Sequence, residues 1–262
     1  MGGHAFVGPG GRSLSSPIKK QNVQATLTSF HGNVLRPAGI ESYMTIGSAG
    51  VKSISGDIDV AVGPIETSKT SRDLLLKKIK QSVGNDVAKL VGSNIAVLYP
   101  IVSQPDELVQ IDLMLSNDPV KTAWLMSGTA TGVKGIYRNL LLAYIAKLRS
   151  TQTKKVTISF PGGIQVVENG DVVVDRTEDP WVVIDELGIG SSPKKISTFE
   201  DLVITLASHP KLSKSLIDFD QYIGHFLRNP NTKDEAMKAL TFIRQLLDLR
   251  ESTKQLLNII NG

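Results

Sequence analysis

Two aspartates separated by a single residue, Asp57 and Asp59, lie in the otherwise apolar run ISGDIDVAV. In a β-strand, side chains two positions apart project from the same face, about 6.6 Å apart at roughly 3.3 Å per residue, so Ile58 and Val60 point to the opposite face. Two neighbouring carboxylates repel each other, and one is driven towards its protonated form unless a cation lies between them. Hard oxygen ligands on a rigid strand suit Mg²⁺ or Mn²⁺, so the pair predicts a divalent-cation site.

A third aspartate, Asp112, lies in a similar setting, the run ELVQIDLML. Alternation along a strand puts Gln110, Asp112 and Met114 on one face and aliphatic residues on the other. If this strand lies beside the strand of Asp57 and Asp59, three carboxylates converge. Such a set can hold two metal ions about 3.5 to 4 Å apart, which is the arrangement used for in-line phosphoryl displacement.

Candidate phosphate-binding residues occur on both sides of the third acid. Gly47 allows the backbone to approach a phosphate closely, and Ser48 can donate its hydroxyl and its N–H where the chain turns. Lys52 adds a positive charge in the same connection. Lys134 and Arg138 are four positions apart, hence on one helical face, and are predicted to clamp a triphosphate; a solvated helix face is the alternative interpretation.

Several other kinds of site are excluded by the sequence. The 262 residues include no cysteine, which rules out disulfides, thiolate metal sites and thiol nucleophiles. The four histidines lack metal-ligand spacing, and no Gly-x-Ser-x-Gly nucleophile motif is present. An EF-hand calcium loop is excluded because Ala61 occupies the position of its third ligand.

The charge of the chain is unevenly distributed along its length. Residues 1–150 contain 16 Lys+Arg and 10 Asp+Glu, net +6, whereas residues 151–262 contain 13 and 15, net −2. This bias favours a phosphate-bearing partner on the N-terminal side, with solvated charged faces as the alternative. The longest apolar runs are far too short to span a bilayer, so we expect no membrane partner, and the lack of cysteine and of a signal peptide favours the cytoplasm.

The elements that must position the three acids follow from hydrophobic periodicity and turn residues. Four strands are predicted, over residues 43–47, 58–62, 94–102 and 107–115. One helix is expected to begin at Ser16-Pro17 and to end before Pro37, and a second begins after Ser68 and stops near Gly84. These elements predict an α+β fold with a four-stranded mixed or antiparallel sheet and helices on one face.

The remainder of the chain is predicted to be mainly helical. A β-hairpin is expected near residues 154–174, with its turn at Asn169-Gly170, and helices follow beyond Asp179. We therefore expect three regions: an N-terminal loop and helix over 1–40, the core that carries the acids over 41–118, and a mainly helical region over 119–262.

The combination of Gly47-Ser48, the segment GDIDV and the later Ile111-Asp112-Leu113 resembles the DNA polymerase beta-type nucleotidyltransferase superfamily. Its signature is a Gly-Ser or Gly-Gly, an Asp-x-Asp strand and a separate third carboxylate. The resemblance covers roughly residues 43–115, under a third of the chain. GSAGVKSISGDIDVAV looks closest to uncharacterised nucleotidyltransferases of phages and large viruses, and MGGHAF and KGIYRNLLL are similar to them as well. The eight residues between Ser48 and Asp57 are at the short end for the superfamily.

The resemblance implies a small palm-like sheet and the transfer of a nucleoside monophosphate from an NTP or dNTP, ATP among them, to an acceptor hydroxyl with release of pyrophosphate. It implies that Asp57 and Asp59 bind both metals, that Asp112 binds the catalytic metal and helps to activate the acceptor oxygen, and that Gly47 and Ser48 hold the triphosphate. A nucleic-acid 3′-hydroxyl is the expected acceptor. The alternatives are nucleotidylation of a protein or small molecule, and a catalytically inactive binding protein. A phage-encoded enzyme of this kind would act in the host cytoplasm.

Overall fold

The computed structural model describes residues 4–126, 133–160 and 162–261 and divides the chain into two compact units, Met1–Ala123 and Trp124–Gly262. The boundary expected after residue 118 lies five residues before this division, and residues 1–40 belong to the first unit. The first three residues of MGGHAF, and residue 161 within the predicted hairpin region, lie outside the described residues.

The first unit contains the strands and helices around the three acids. In chain order these are β1 (Ile18–Lys19), α1 (Lys20–Phe30), a π-helical turn (His31–Leu35), β2 (Ser42–Ile46), β3 (Ile54–Ser55), β4 (Asp57–Gly63), α2 (Lys69–Val83), β5 (Ala88–Val91), β6 (Asn94–Ile101) and β7 (Gln104–Leu115). Helix α3 (Pro119–Met126) follows at the division between the units.

Five strands form the main sheet, in the order β2-β4-β7-β6-β5. Strands β4 and β7 are parallel and the other neighbours are antiparallel, so the sheet is mixed and the predicted α+β class is confirmed. The four predicted strands are present. The prediction of only four was wrong, because β5 is a short edge strand in which Ala88 alone is buried, and it therefore has no apolar alternation that the sequence analysis could detect.

Helices α1 and α2 cover one face of this sheet. Their inward residues pack against a continuous set of aliphatic strand residues, and this core includes Val23, Leu27, Phe30, Leu75, Ile79, Ile58, Val60, Val97, Ile111 and Leu113. The side chain of Ser68 accepts a hydrogen bond from the Ser71 N–H, and Gly84 ends α2, as predicted.

The start predicted for the first helix, Ser16-Pro17, is wrong. Ile18 and Lys19 instead pair antiparallel with Ser55 and Ile54, so α1 begins only at Lys20. Extended residues in this β1–β3 ribbon cannot also form the first helical turn, and the partner strand lies more than thirty residues further along the chain. A long-range pairing has overridden the local Ser-Pro signal.

The second unit combines a small sheet with helices. It contains α4 (Gly135–Arg149), β8 (Lys154–Ser159), β9 (Gly163–Glu168), β10 (Asp171–Thr177), α5 (Pro180–Leu187), α6 (Phe199–Ala207), α7 (Lys214–Ile217), α8 (Phe219–Tyr222), α9 (Gly224–Arg228) and α10 (Lys233–Asn261). The predicted hairpin is β9–β10, and both turn residues, Asn169 and Gly170, have positive φ. Strand β8 adds a third antiparallel strand to it. None of the described helices is both long and apolar enough to cross a membrane.

Candidate active site

The three acids lie side by side on neighbouring parallel strands. In the β4–β7 pairing Asp59 is directly opposite Asp112, and Asp57 is opposite Gln110. Residues opposite each other in a sheet project from the same face, so the side chains of both strands meet there. One carboxylate oxygen from each of Asp57, Asp59 and Asp112 lies within 4.8 Å of the other two, and all three side chains are half-buried.

The same two strands are anchored by their opposite face. Ile58, Val60, Ile111 and Leu113 alternate with the acids, and none of them is exposed to solvent. They belong to the core beneath α1 and α2. The carboxylates are therefore held on a rigid part of the sheet, which is the condition for a preorganised metal site.

Gly47 lies against the acid cluster. It directly follows β2, whose last residue, Ile46, pairs with Asp59. Its φ of +72° lies in the left-handed region, and a Cβ added there would lie 2.6 Å from Oδ2 of Asp59. Only glycine fits here without displacing the carboxylate.

Ser48 and Lys52 lie in the turn that follows. The carbonyl of Ser48 accepts hydrogen bonds from the N–H groups of Val51 and Lys52, both at 3.1 Å. Both side chains are half-buried. The structure therefore brings Gly47 beside Asp59 and continues into a compact turn that carries the other two predicted phosphate-binding residues.

Gln110 is a site residue to which the sequence analysis assigned no role. Its Nε2 lies 2.9 Å from both carboxylate oxygens of Asp112, and its Oε1 accepts a hydrogen bond of 2.8 Å from the N–H of Ala5. The side chain is only 4% exposed. The sequence contained a signal for this role. A glutamine on the acid face of an apolar strand is costly to bury unless it has hydrogen-bond partners, and the acids on that face are such partners.

Burial and mutual repulsion disfavour ionisation of two of the acids. Burial, reinforced by the negative charges of Asp57 and Asp112, raises the pKa of Asp59 from 3.8 to about 7. Burial also raises the pKa of Asp112; the hydrogen bond from Gln110 opposes this rise, and the charge of Asp57 adds to it. A bound cation would supply the positive charge that favours the ionised forms.

We expect Asp59→Asn to stabilise the metal-free protein by an amount that grows as the pH rises from about 4 to about 7. Below this window Asp59 is protonated in both the folded and the unfolded chain, so its ionisation does not affect stability. Within the window Asp59 is ionised in the unfolded chain but still protonated in the folded chain. The parent therefore loses stability as the pH rises, whereas Asn is neutral in both states. Above pH 7 the gain levels off at a value on the order of 4 kcal/mol, because each pKa unit between 3.8 and about 7 corresponds to about 1.4 kcal/mol. Chemical unfolding in chelator at pH 4.5 and pH 8 measures it, and a difference independent of pH would contradict the buried charge.

The structure places Lys134 and Arg138 in the second unit, and Arg138 is in its core. The Arg138 side chain is 0% exposed, its Nε donates to the carbonyl of Ile196 at 2.8 Å, and its guanidinium lies 4.3 Å from the centre of the Trp124 ring. Burial lowers the pKa of Arg138 to about 10. This burial argues against the predicted contact between Arg138 and a triphosphate.

The spacing argument failed because Lys134 precedes the helix. It is the N-cap residue of α4, with extended backbone angles, so it does not share a helical face with Arg138. Its Nζ lies 4.0 Å from Oε1 of Glu235, and the side chain is 43% exposed. Of the two predicted clamp residues, Lys134 alone is accessible to an anion.

Comparisons with protein-family models and with curated proteins give no match to this sequence. The donor set consists of carboxylate oxygens alone, which suits a hard cation such as Mg²⁺ or Mn²⁺.

Proposed function

We propose that the protein is a metal-dependent nucleotidyltransferase that moves a nucleoside monophosphate from an NTP or dNTP to an acceptor hydroxyl and releases pyrophosphate. The observation that carries this proposal is the convergence of Asp57, Asp59 and Asp112 on two adjacent parallel strands, with Gly47 against Asp59. The order of these residues along the chain resembles the polymerase beta-type superfamily. A mixed sheet with helices on one face and acids on the other is compatible with the palm-like core of that superfamily.

Each site residue has a role in this proposal. Divalent cations, when bound, would polarise the transferred phosphoryl group and lower the pKa of the attacking hydroxyl. Asp57 and Asp59 would hold both ions, and Asp112 would hold the catalytic ion and orient the acceptor oxygen. Gly47 and Ser48 would bring backbone N–H groups and a hydroxyl to the triphosphate.

The test of the proposal is incubation with labelled NTPs and dNTPs, Mg²⁺ or Mn²⁺, and a mixed set of RNA, DNA and protein acceptors. Label transfer accompanied by pyrophosphate release is the expected result. The Asp59→Asn protein serves as the negative control. Absence of transfer, together with no thermal shift from any of the eight common nucleotides in the presence of metal, would refute the proposal.

Ser48→Ala is expected to weaken nucleotide binding about tenfold to a hundredfold, because a hydrogen bond to a charged group contributes roughly 1.5 to 3 kcal/mol. The measurement is the thermal shift produced by NTP and Mg²⁺, since a ligand at a hundredfold excess over Kd stabilises the folded protein by about 2.7 kcal/mol. Ser53→Ala is the matched control, because Ser53 is exposed in the same connection. Equal shifts for the two variants would remove Ser48 from the nucleotide site.

For the acceptor, we propose a nucleic-acid 3′-hydroxyl on the strength of the sequence resemblance. The uneven charge along the chain does not support this choice, because the two structural units have the same net charge. Residues 1–123 contain 12 Lys+Arg and 10 Asp+Glu, and residues 124–262 contain 17 and 15, so each unit is net +2. Labelling of a protein or small molecule in the mixed-acceptor assay, with no labelled oligonucleotide, would establish the alternative.

A further inference from the structure

The N-terminal segment packs on the acid-bearing face of the sheet. Phe6 is 4% exposed and packs against Ala96 and Leu98 of β6. In the β6–β7 pairing Ala96 lies opposite Asp112, and Leu98 lies opposite Gln110, so Phe6 covers the same face as the acids. We call residues 5–16 the N-terminal strap.

One backbone hydrogen bond closes the strap on itself and another fastens it to the sheet. The N–H of Leu14 donates to the carbonyl of Phe6 within the strap at 2.9 Å, and the N–H of Ser16 donates to the carbonyl of Leu108 at 2.6 Å. Leu108 belongs to β7, the strand of Asp112. The strap is therefore tied to the strand that supplies the third acid.

Gln110 connects the strap to Asp112. The backbone N–H of Ala5 donates to Oε1 of Gln110, and Nε2 of Gln110 donates to both oxygens of Asp112. The orientation of the amide is determined by its neighbours, because a flipped group would place its oxygen against a carboxylate and its NH₂ against another donor. This arrangement requires a side chain that accepts a hydrogen bond with one terminal atom and donates with the other.

We infer that Gln110 is a positioning residue: it is held by the Ala5 N–H, and it orients the Asp112 carboxylate to bind the cation. This inference rests on the metal site of the proposed function. A carboxylate ligand is free to rotate about its side-chain torsions, and hydrogen bonds from a surrounding residue restrict it to one orientation. Gln110 can do this without adding charge, whereas glutamate would place a further negative charge against Asp112.

Mn²⁺ affinity, measured by electron paramagnetic resonance without nucleotide or acceptor, tests the inference. Gln110→Met keeps the length of the side chain but removes its hydrogen bonds to Asp112 and to the Ala5 N–H, and we expect Mn²⁺ to bind about tenfold or more weakly. Ala5→Pro removes the backbone donor but leaves the groups of Gln110 and Asp112 in place, and it is expected to cause a smaller loss. Because Ala5 acts through Gln110, adding Ala5→Pro to Gln110→Met should cause no further loss.

Two controls separate positioning from stability. Thr26→Val removes another hydrogen bond of the first unit, the one that the buried Thr26 side chain accepts from the Val102 N–H, and should lower the melting temperature without changing Mn²⁺ affinity. Ala5→Gly keeps the N–H and should bind Mn²⁺ as the parent does. If Gln110→Met does not fold, the comparison of Ala5→Pro with Ala5→Gly provides the test.

The outcomes distinguish this inference from the function on which it rests. Parental Mn²⁺ affinity in Gln110→Met, or in Ala5→Pro when Gln110→Met does not fold, would overturn the inference and leave the metal site standing. No Mn²⁺ binding by the parent would overturn both. If the variants bind Mn²⁺ more weakly but the parent transfers no nucleotide, the inference stands and the proposed reaction is wrong.

Discussion

Replacement of Asp112 by Asn is expected to lower nucleotidyl transfer about 1,000-fold, because a lost metal contact removes several kcal/mol of transition-state stabilisation. Asn keeps the shape of the side chain but removes its negative charge and one of the two oxygens that accept from Nε2 of Gln110. Asp106→Asn is the matched control, since Asp106 lies on the same strand, β7, and is exposed. Single-turnover transfer at saturating Mg²⁺ measures the effect, and the control should retain parental activity.

The stability of the same variant distinguishes a metal ligand from a structural residue. Burial raises the pKa of Asp112, which means that its ionised form is disfavoured in the metal-free fold. In chelator at pH 8 the Asp112→Asn protein should therefore melt at or above the parental temperature. A melting temperature well below the parental value would mean that Asp112 stabilises the fold, and its assignment as a metal ligand would then be wrong.

Gly47→Ala is expected to lower both stability and activity. A residue with a Cβ pays about 1 to 2 kcal/mol to adopt the left-handed backbone that Gly47 has, at φ +72°. The added Cβ would also lie 2.6 Å from Oδ2 of Asp59, so this carboxylate must move. Since a misplacement of about 1 Å can cost roughly 100-fold in rate, we expect a loss of that order in nucleotidyl transfer and weaker Mn²⁺ binding.

Gly50→Ala is the control for the backbone cost alone. Gly50 also has a positive φ, +79°, but the nearest atom to its added Cβ is Cγ1 of Val23 at 3.9 Å, an ordinary contact. Gly50→Ala should therefore lose only the stability that the backbone cost removes, Gly47→Ala should lose at least as much in chemical unfolding, and only Gly47→Ala should lose activity and metal affinity. Equal losses of activity in the two variants would show that the turn as a whole matters and that the contact with Asp59 does not.

Local sequence patterns determined the elements that carry the site. Alternation along ISGDIDVAV and ELVQIDLML was sufficient to place the acids on one face of each strand and aliphatic residues on the other. Ser68 and Asn169-Gly170 signalled a helix start and a hairpin turn, because the hydrogen bond of a cap and the positive φ values of a tight turn depend on neighbouring residues alone. These signals do not reach beyond a few positions.

Tertiary structure decided which of these faces meet. The register that places Asp59 opposite Asp112 joins residues more than fifty positions apart, and it is determined by the packing of whole strands beneath α1 and α2. The bond between Ala5 and Gln110 spans over one hundred positions, and the burial of Arg138 depends on Ile196 and Trp124. Helical or strand periodicity states which side chains share a face, but whether that face meets solvent or core depends on what packs against it. The sequence by itself therefore identified the three acids, whereas their convergence, the role of Gln110 and the burial of Arg138 followed only from the folded chain.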